Sequence, residues 1–344
     1  MRKPITAPSA WRPADFADRD AYTIALAPRH LIAFDEAIAR NRAAGRATED
    51  VRAEDFTLDA IAPDLAAWRH EVLHGRGFVL LRGISGDRYS PDDQAAIFWG
   101  LGTHLGRAVS QSAMGDRIGY VTDVGGKDRR ERAYRNSREL TMHTDRCDVI
   151  GMLCLVQAMR GGVSGYSSAH TIYNDILASR PELLEPLFAG LRYHRRGEEL
   201  PGEPPITPEP VPVLSESEGE LSVVFLRAYM EMAAKEIGTS LTAEQTAALD
   251  YFEAVAARPD VRLEFTLEPG EAIFFNNCVL LHNRTAFEDH PEPARRRHLL
   301  RLWLEVPGMR AIHPDLAIFP GEGVDAVSGR TPTYDWKTLT SRRG

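Results

Sequence analysis

Cysteine is scarce in this chain: three in 344 residues, Cys147, Cys154 and Cys278. An odd count without close pairing argues against a disulfide framework and for a reducing compartment. Long apolar runs are missing as well. None approaches the length of a bilayer span, so no membrane crossing is expected. No apolar segment follows Met1-Arg-Lys-Pro, so a secretory signal is not expected and a cytoplasmic protein is. Excess positive charge is also absent. The formal net charge is -8, which argues against the global basic surface of a nucleic-acid binder. The runs Arg129-Arg130-Glu131-Arg132 and Arg295-Arg296-Arg297 are short, lie near acids and read first as solvated faces. Internal repeats and composition breaks are lacking, so one domain over 1–344 is expected. What is present is 43% hydrophobic residues, enough for a sizeable core and too many for a disordered chain.

Local patterns place the elements. Leu31 to Ala43 carries apolar residues at helical spacing, and Pro63-Asp64 opens a second helix through Leu73. Ser90-Pro91 is an N-cap followed by a first-turn proline, predicting a helix to about Gly102. Thr242-Ala-Glu-Gln245 is a capping box for a helix through Ala256. Thr171 to Leu187 reads as one or two helices broken at Pro181. Short apolar or alternating runs predict strands at 77–82, 149–158, 221–226, 261–267, 271–275 and 298–306. Residues 110–142 read as a long loop with short strands, and 197–220 as a surface excursion. The first 20 residues read as loosely held. Clustered short strands with flanking helices point to an α+β chain with a mainly β core.

The chemistry lies in three places. His143 and Asp145 sit two residues apart, which at strand spacing turns both side chains to one face. His282 ends the run Phe275-Asn-Asn-Cys-Val-Leu-Leu-His. Two histidines and one carboxylate with open positions make the facial triad of non-heme Fe(II) oxygenases. Arg301 lies inside the apolar run Leu299-Leu-Arg-Leu-Trp-Leu. A buried guanidinium there needs an anion, either a ligand or a side chain such as Glu305.

With these residues the chain resembles the Fe(II)/2-oxoglutarate-dependent dioxygenases of the taurine dioxygenase type, including the γ-butyrobetaine hydroxylase and clavaminate synthase branches. The resemblance runs from about Gly77 to Val306. Gly161-Gly162-Val163-Ser164 is similar to the family's Gly-Gly-Asp-Thr, and Arg297-His-Leu-Leu-Arg301 to its paired-arginine ending. The resemblance implies a double-stranded β-helix (jelly roll) braced by helices. A mainly helical extension would occupy 1–76, the core with insertions 77–306, and a tail 307–344. It implies Fe(II) on His143, Asp145 and His282, with O2 and 2-oxoglutarate as co-substrates. Arg301 and Ser164 would hold the far end of 2-oxoglutarate. Arg297 would meet an anionic group on the substrate, unless it is a solvated charge of its run. Glu139, Gln111 and Asn136 are further candidates for substrate contact. The expected reaction is oxidation, by default hydroxylation, of a small polar or anionic metabolite. A homo-oligomer stays open. The rival readings are a zinc hydrolase built on the same triad and a non-catalytic metal-binding jelly roll.

Overall fold

The computed structural model describes residues 2–112, 115–123, 136–196, 198–199, 202–318 and 323–324. The arginine-rich run at 129–132 and the chain beyond 324 lie outside the described residues. Strands are numbered along the chain. The larger sheet has the order β1 (Thr23–Ala25), β2 (Phe78–Arg82), β12 (Glu271–Asn276), β6 (Val149–Val156), β15 (His298–Glu305) and β3 (Arg107–Ala108), with β4 (Ile118–Val121) also paired to β15. Only β1 and β2 run parallel; the other pairs are antiparallel. The smaller sheet is antiparallel throughout, in the order β11 (Arg262–Phe265), β8 (Ser164–Ser168), β13 (Leu280–Arg284) and β5 (Leu140–His143). Two short pairs stand apart: β9 (Leu214–Ser217) with β10 (Glu220–Val223), and β7 (Arg160–Gly161) with β14 (Phe287–Glu288).

Alternation along the strands explains the layering. In β15, Leu300, Leu302 and Leu304 pack with Phe34, Trp68 and Phe98, which come from α1 (Pro28–Ala43), α2 (Ala62–Leu73) and α3 (Pro91–Leu105). Leu299 and Trp303, on the other face, pack with Phe275 and with Tyr166 and Leu280 of the smaller sheet. That sheet turns Leu281 outward against Ile172, Leu187 and Phe252. These belong to α4 (Ala169–Ser179), α5 (Leu184–Ala189) and α7 (Ala243–Ala256). The result is two facing sheets with helices on both outer faces. A period of two gives each strand one side for helices and one for the space between the sheets. Among the described residues, no helix is long and apolar enough to cross a membrane.

The N-terminal segment departs from the loose tail expected of it. Ile5 N–H donates to Asn174 Oδ1 (2.8 Å), Trp11 Nε1 donates to Arg76 O (2.8 Å), and Trp11 is buried in the inter-sheet cluster. Arg19 pairs with Glu271, a fully buried carboxylate that also accepts from Arg82 Nε at 2.9 Å. Large apolar burial and paired charge hold down a segment that composition alone marks as polar. α6 (Arg227–Glu236) was not expected from the sequence either.

Candidate metal centre

The site starts from one cross-strand pair. His143 of β5 stands directly opposite His282 of β13, and their ring centroids are 4.2 Å apart. Asp145 follows just past β5, on a turn with little freedom. Its N–H donates to Asn277 Oδ1 (2.9 Å), and Asn277 Nδ2 donates to the carbonyls of Asp145 and Cys147, both at 2.7 Å. Thr144 between the two ligands exchanges a pair of 2.9 Å bonds with Phe225, through its N–H and Oγ1. Asn277 thus satisfies the backbone of the segment that carries Asp145.

Asp145 Oδ1 lies 3.9 Å from His143 Nε2, and Oδ2 lies 4.0 Å from His282 Nε2. Donor atoms of the three residues fall within 4.8 Å of one another. With small side-chain adjustments they can share one divalent ion at bond lengths of about 2.0–2.2 Å. The protonation chemistry also fits. His143 Nδ1 is 2.8 Å from Thr141 O; donating there fixes the tautomer and leaves Nε2 as the ligand atom. Burial, reinforced by neighbouring His143, lowers the His282 pKa to about 3, so this imidazole is neutral and ready to ligate. Two imidazoles and a carboxylate suit Fe(II).

Behind Asp145 stands a chain of donors. Arg301 Nη1 donates to Asp145 Oδ2 at 2.9 Å, and Trp303 Nε1 donates to the same oxygen at 3.0 Å. Gln111 Oε1 accepts from Arg301 Nε (2.7 Å), while Gln111 Nε2 donates to Arg301 O (2.8 Å) and Arg117 O (2.9 Å). The structure therefore pairs Arg301 with the third member of the triad rather than with Glu305, and Arg301 also lines the cavity beside the triad. Gln111, expected near substrate, is fully buried and spends its amide on Arg301. Glu139 is exposed, and the side chain of Asn136 accepts from Arg138 N–H; neither lines the cavity beside the triad.

That cavity, of about 250 Å³, is bounded by the triad, Ser164, Tyr166 and Arg297, with apolar walls such as Leu140, Met152 and Phe275. Arg297 is 3% exposed, so it is not part of a solvated run, although Arg295 and Arg296 beside it are exposed. Gly161 and Gly162 precede β8 with φ of 71° and 70°. A Cβ on Gly162 would sit 3.2 Å from Arg297 Nε, so the glycine pair lets the chain turn against this side chain. Among the described residues no carboxylate pairs with the Arg297 guanidinium, and its Nη1 has no hydrogen-bond partner. Burial depresses its pKa to about 10. Tyr166 hydrogen-bonds Ser164, and burial raises its pKa.

Three contributors were missed from sequence: Tyr166, Arg284 and Trp303. Each sits two residues beyond one already singled out, Ser164, His282 and Arg301. The period-two rule that linked His143 to Asp145 reaches them as well.

Comparison with known proteins agrees with this geometry. Residues 43–303 match the family described as "Taurine catabolism dioxygenase TauD, TfdA family". The chain is 32% identical to the FR-33289 synthase of Streptomyces rubellomurinus over 323 residues, covering 92% of this chain and 95% of that one. It is 26% identical to the taurine hydroxylase-like protein SAT17 of Stachybotrys chartarum, covering 85% and 77%. In fold it is similar to an asparagine oxygenase solved with Fe(II), 2S,3S-3-hydroxyasparagine and succinate. The TM-score is 0.65 at 18% identity, over 89% of this chain and all of that one.

Proposed function

The chain belongs to the TauD/TfdA family of non-heme iron, 2-oxoglutarate-dependent oxygenases, and we propose the following division of labour in its site. His143, Asp145 and His282 hold Fe(II). Arg297, rather than Arg301, grips the far carboxylate of 2-oxoglutarate, with Ser164 beside it. The observation that carries this reading is one cavity holding both the three ligands and a buried guanidinium that no carboxylate ion-pairs among the described residues. Such a cation is costly until an anion arrives, and a guanidinium meets a carboxylate with two parallel hydrogen bonds. Arg301 instead orients Asp145, with Gln111 locking the arginine and Trp303 sharing the carboxylate oxygen. We read the two facing sheets as a jelly roll spanning 77–306 in a single domain.

When bound, iron and 2-oxoglutarate supply the oxidising chemistry, consuming O2 and releasing succinate and CO2. The chain's own residues position the reactants and exclude water. Val121, Leu140, Met152 and Phe275 line the cavity with apolar surface, which strengthens each charged contact inside it. The substrate we assign is a small polar or anionic metabolite, and the default outcome is hydroxylation. Supporting an anionic end, Arg196 stands exposed at the cavity wall, its guanidinium 5.5 Å from the Tyr229 ring centroid. A hydrolytic zinc site would leave Arg297 without a role.

Purified protein supplied with Fe(II), O2 and 2-oxoglutarate should release succinate. Turnover should rise with one compound in a panel of amino acids, betaines, sulfonates and phosphonates. Iron-loaded protein that makes no succinate with any of them would overturn the reading.

A further inference from the structure

Arg284 is a buried cation that the division of labour above leaves unused. It ends β13, two residues past His282, and so faces the same side of the strand. The side chain is 5% exposed and lines the same cavity as Arg297 and the triad. One edge of the guanidinium is occupied: Nη2 donates to the carbonyls of Asn136 and Arg138. The remaining nitrogens, Nε and Nη1, have no partner. No carboxylate pairs with it among the described residues.

Arg297 is close by. The two guanidinium carbons lie 4.7 Å and 5.0 Å from the centroid of a single ring, Phe287. Ser164, the first residue of β8, is the cross-strand partner of Arg284. Two buried guanidiniums thus share one aromatic support and one cavity. Burial, and then Arg297, lower the pKa of Arg284 to about 10. Both groups remain protonated at neutral pH; Asp289 offsets their mutual repulsion in part, without an ion pair to either guanidinium among the described residues.

We propose that Arg284 is a second co-substrate-binding arginine, and that the far carboxylate of 2-oxoglutarate binds between Arg284 and Arg297. This rests on the assignment of 2-oxoglutarate to the Arg297 end of the cavity. A carboxylate offers two oxygens and about four lone-pair directions. It can accept from Arg297 on one side and from Arg284 Nε and Nη1 on the other. The same Arg284 holds the backbone that leads into β5 and His143, so co-substrate and iron ligand share one support.

The test compares two 2-oxo acids of equal length, 2-oxoglutarate and 2-oxopentanoate, which lacks the second carboxylate. Their affinities for anaerobic Fe(II)-loaded protein are measured by calorimetry. Arg284→Gln should weaken 2-oxoglutarate at least tenfold and leave 2-oxopentanoate within twofold of wild type. Arg284→Lys, which keeps the charge but not the paired donors, should fall between. If Arg284→Gln does not fold, the lysine variant is read in its place, and the preference for 2-oxoglutarate over 2-oxopentanoate should drop at least threefold. Equal losses for both acids mean a distorted site and overturn the proposal, as does an unchanged preference. Wild-type protein that does not distinguish the two acids would sink the underlying assignment instead.

Discussion

Arg297 and Arg301 sit four residues apart, and the structure gives them different partners. Arg301 is tied to Asp145 and Gln111; among the described residues no carboxylate forms an ion pair with the Arg297 guanidinium. Arg297→Ala should therefore weaken 2-oxoglutarate binding at least tenfold with iron affinity little changed. Truncating one side of such a buried charge pair costs about 2–5 kcal/mol. Arg301→Ala should do the reverse. It removes the donor that orients a metal ligand, a change that commonly costs about 10–100-fold in metal affinity. In the metal-free protein it also leaves Asp145 with Trp303 as a remaining side-chain donor, so stability should fall, by less than the roughly 3–5 kcal/mol of a fully uncompensated buried charge. Iron and 2-oxoglutarate titrations on both variants check this, and exchanged outcomes would restore the assignment suggested by family resemblance. The triad itself was legible because residue type and spacing carry it. The partners of the two arginines were not, since both lie in one apolar strand pattern. What distinguishes them is a carboxylate 156 positions away in sequence, and pairing over that distance leaves no local mark.

At the scale of elements, helix starts were the most legible feature. Ser90 Oγ accepts from Asp93 N–H at 3.2 Å, and both bonds of the capping box at Thr242 and Gln245 form, at 3.1 and 3.0 Å. Caps are local chemistry and can be read locally. α6 was missed because it begins at Arg227 without a side-chain cap, and Arg227 is held by Glu231, Asp250 and Glu253, two of them in another helix. The sequence places the end of α3 near Gly102; the helix runs on to Leu105. Its glycines have a packing reason. A Cβ on Gly100 would meet the Phe56 ring at 2.3 Å, and both residues lie in the buried core under the larger sheet. Helix propensity alone favours Gly100→Ala by roughly 1 kcal/mol. Overpacking opposes it by about 1–3 kcal/mol. The substitution should lower stability in a denaturant titration; an increase would mean that Phe56 moves aside freely.

At the scale of the molecule, the attachment of the N-terminal segment should respond to pH through His170. His170 joins that segment to the β9–β10 pair: its Nδ1 is 2.8 Å from Ser9 Oγ and its Nε2 is 3.0 Å from Leu221 O. The neutral ring satisfies both, accepting from Ser9 and donating to Leu221. Burial, aided by Arg310 and opposed by Glu220 and the Leu221 carbonyl, lowers the His170 pKa to about 4 from its usual 6.5. Between those two values the unfolded chain takes up a proton that the folded chain refuses. Stability contributed by the neutral ring is therefore whole above about pH 6.5 and falls as pH drops toward 4, by at most roughly 1.4 kcal/mol per unit. His282 is shifted in the same direction, so the wild-type profile alone does not isolate His170. His170→Asn keeps a donor and an acceptor but cannot titrate. The variant should be less stable than wild type at pH 7.5, where the native contacts are intact. Its deficit should shrink steadily between pH 6.5 and 4.5 in urea denaturation of metal-free protein. A deficit that stays constant across that range would show that His170 titrates alike in both states, and that the N-terminal segment is held by its other contacts, among them Trp11, Ile5 and the Glu271 ion pairs.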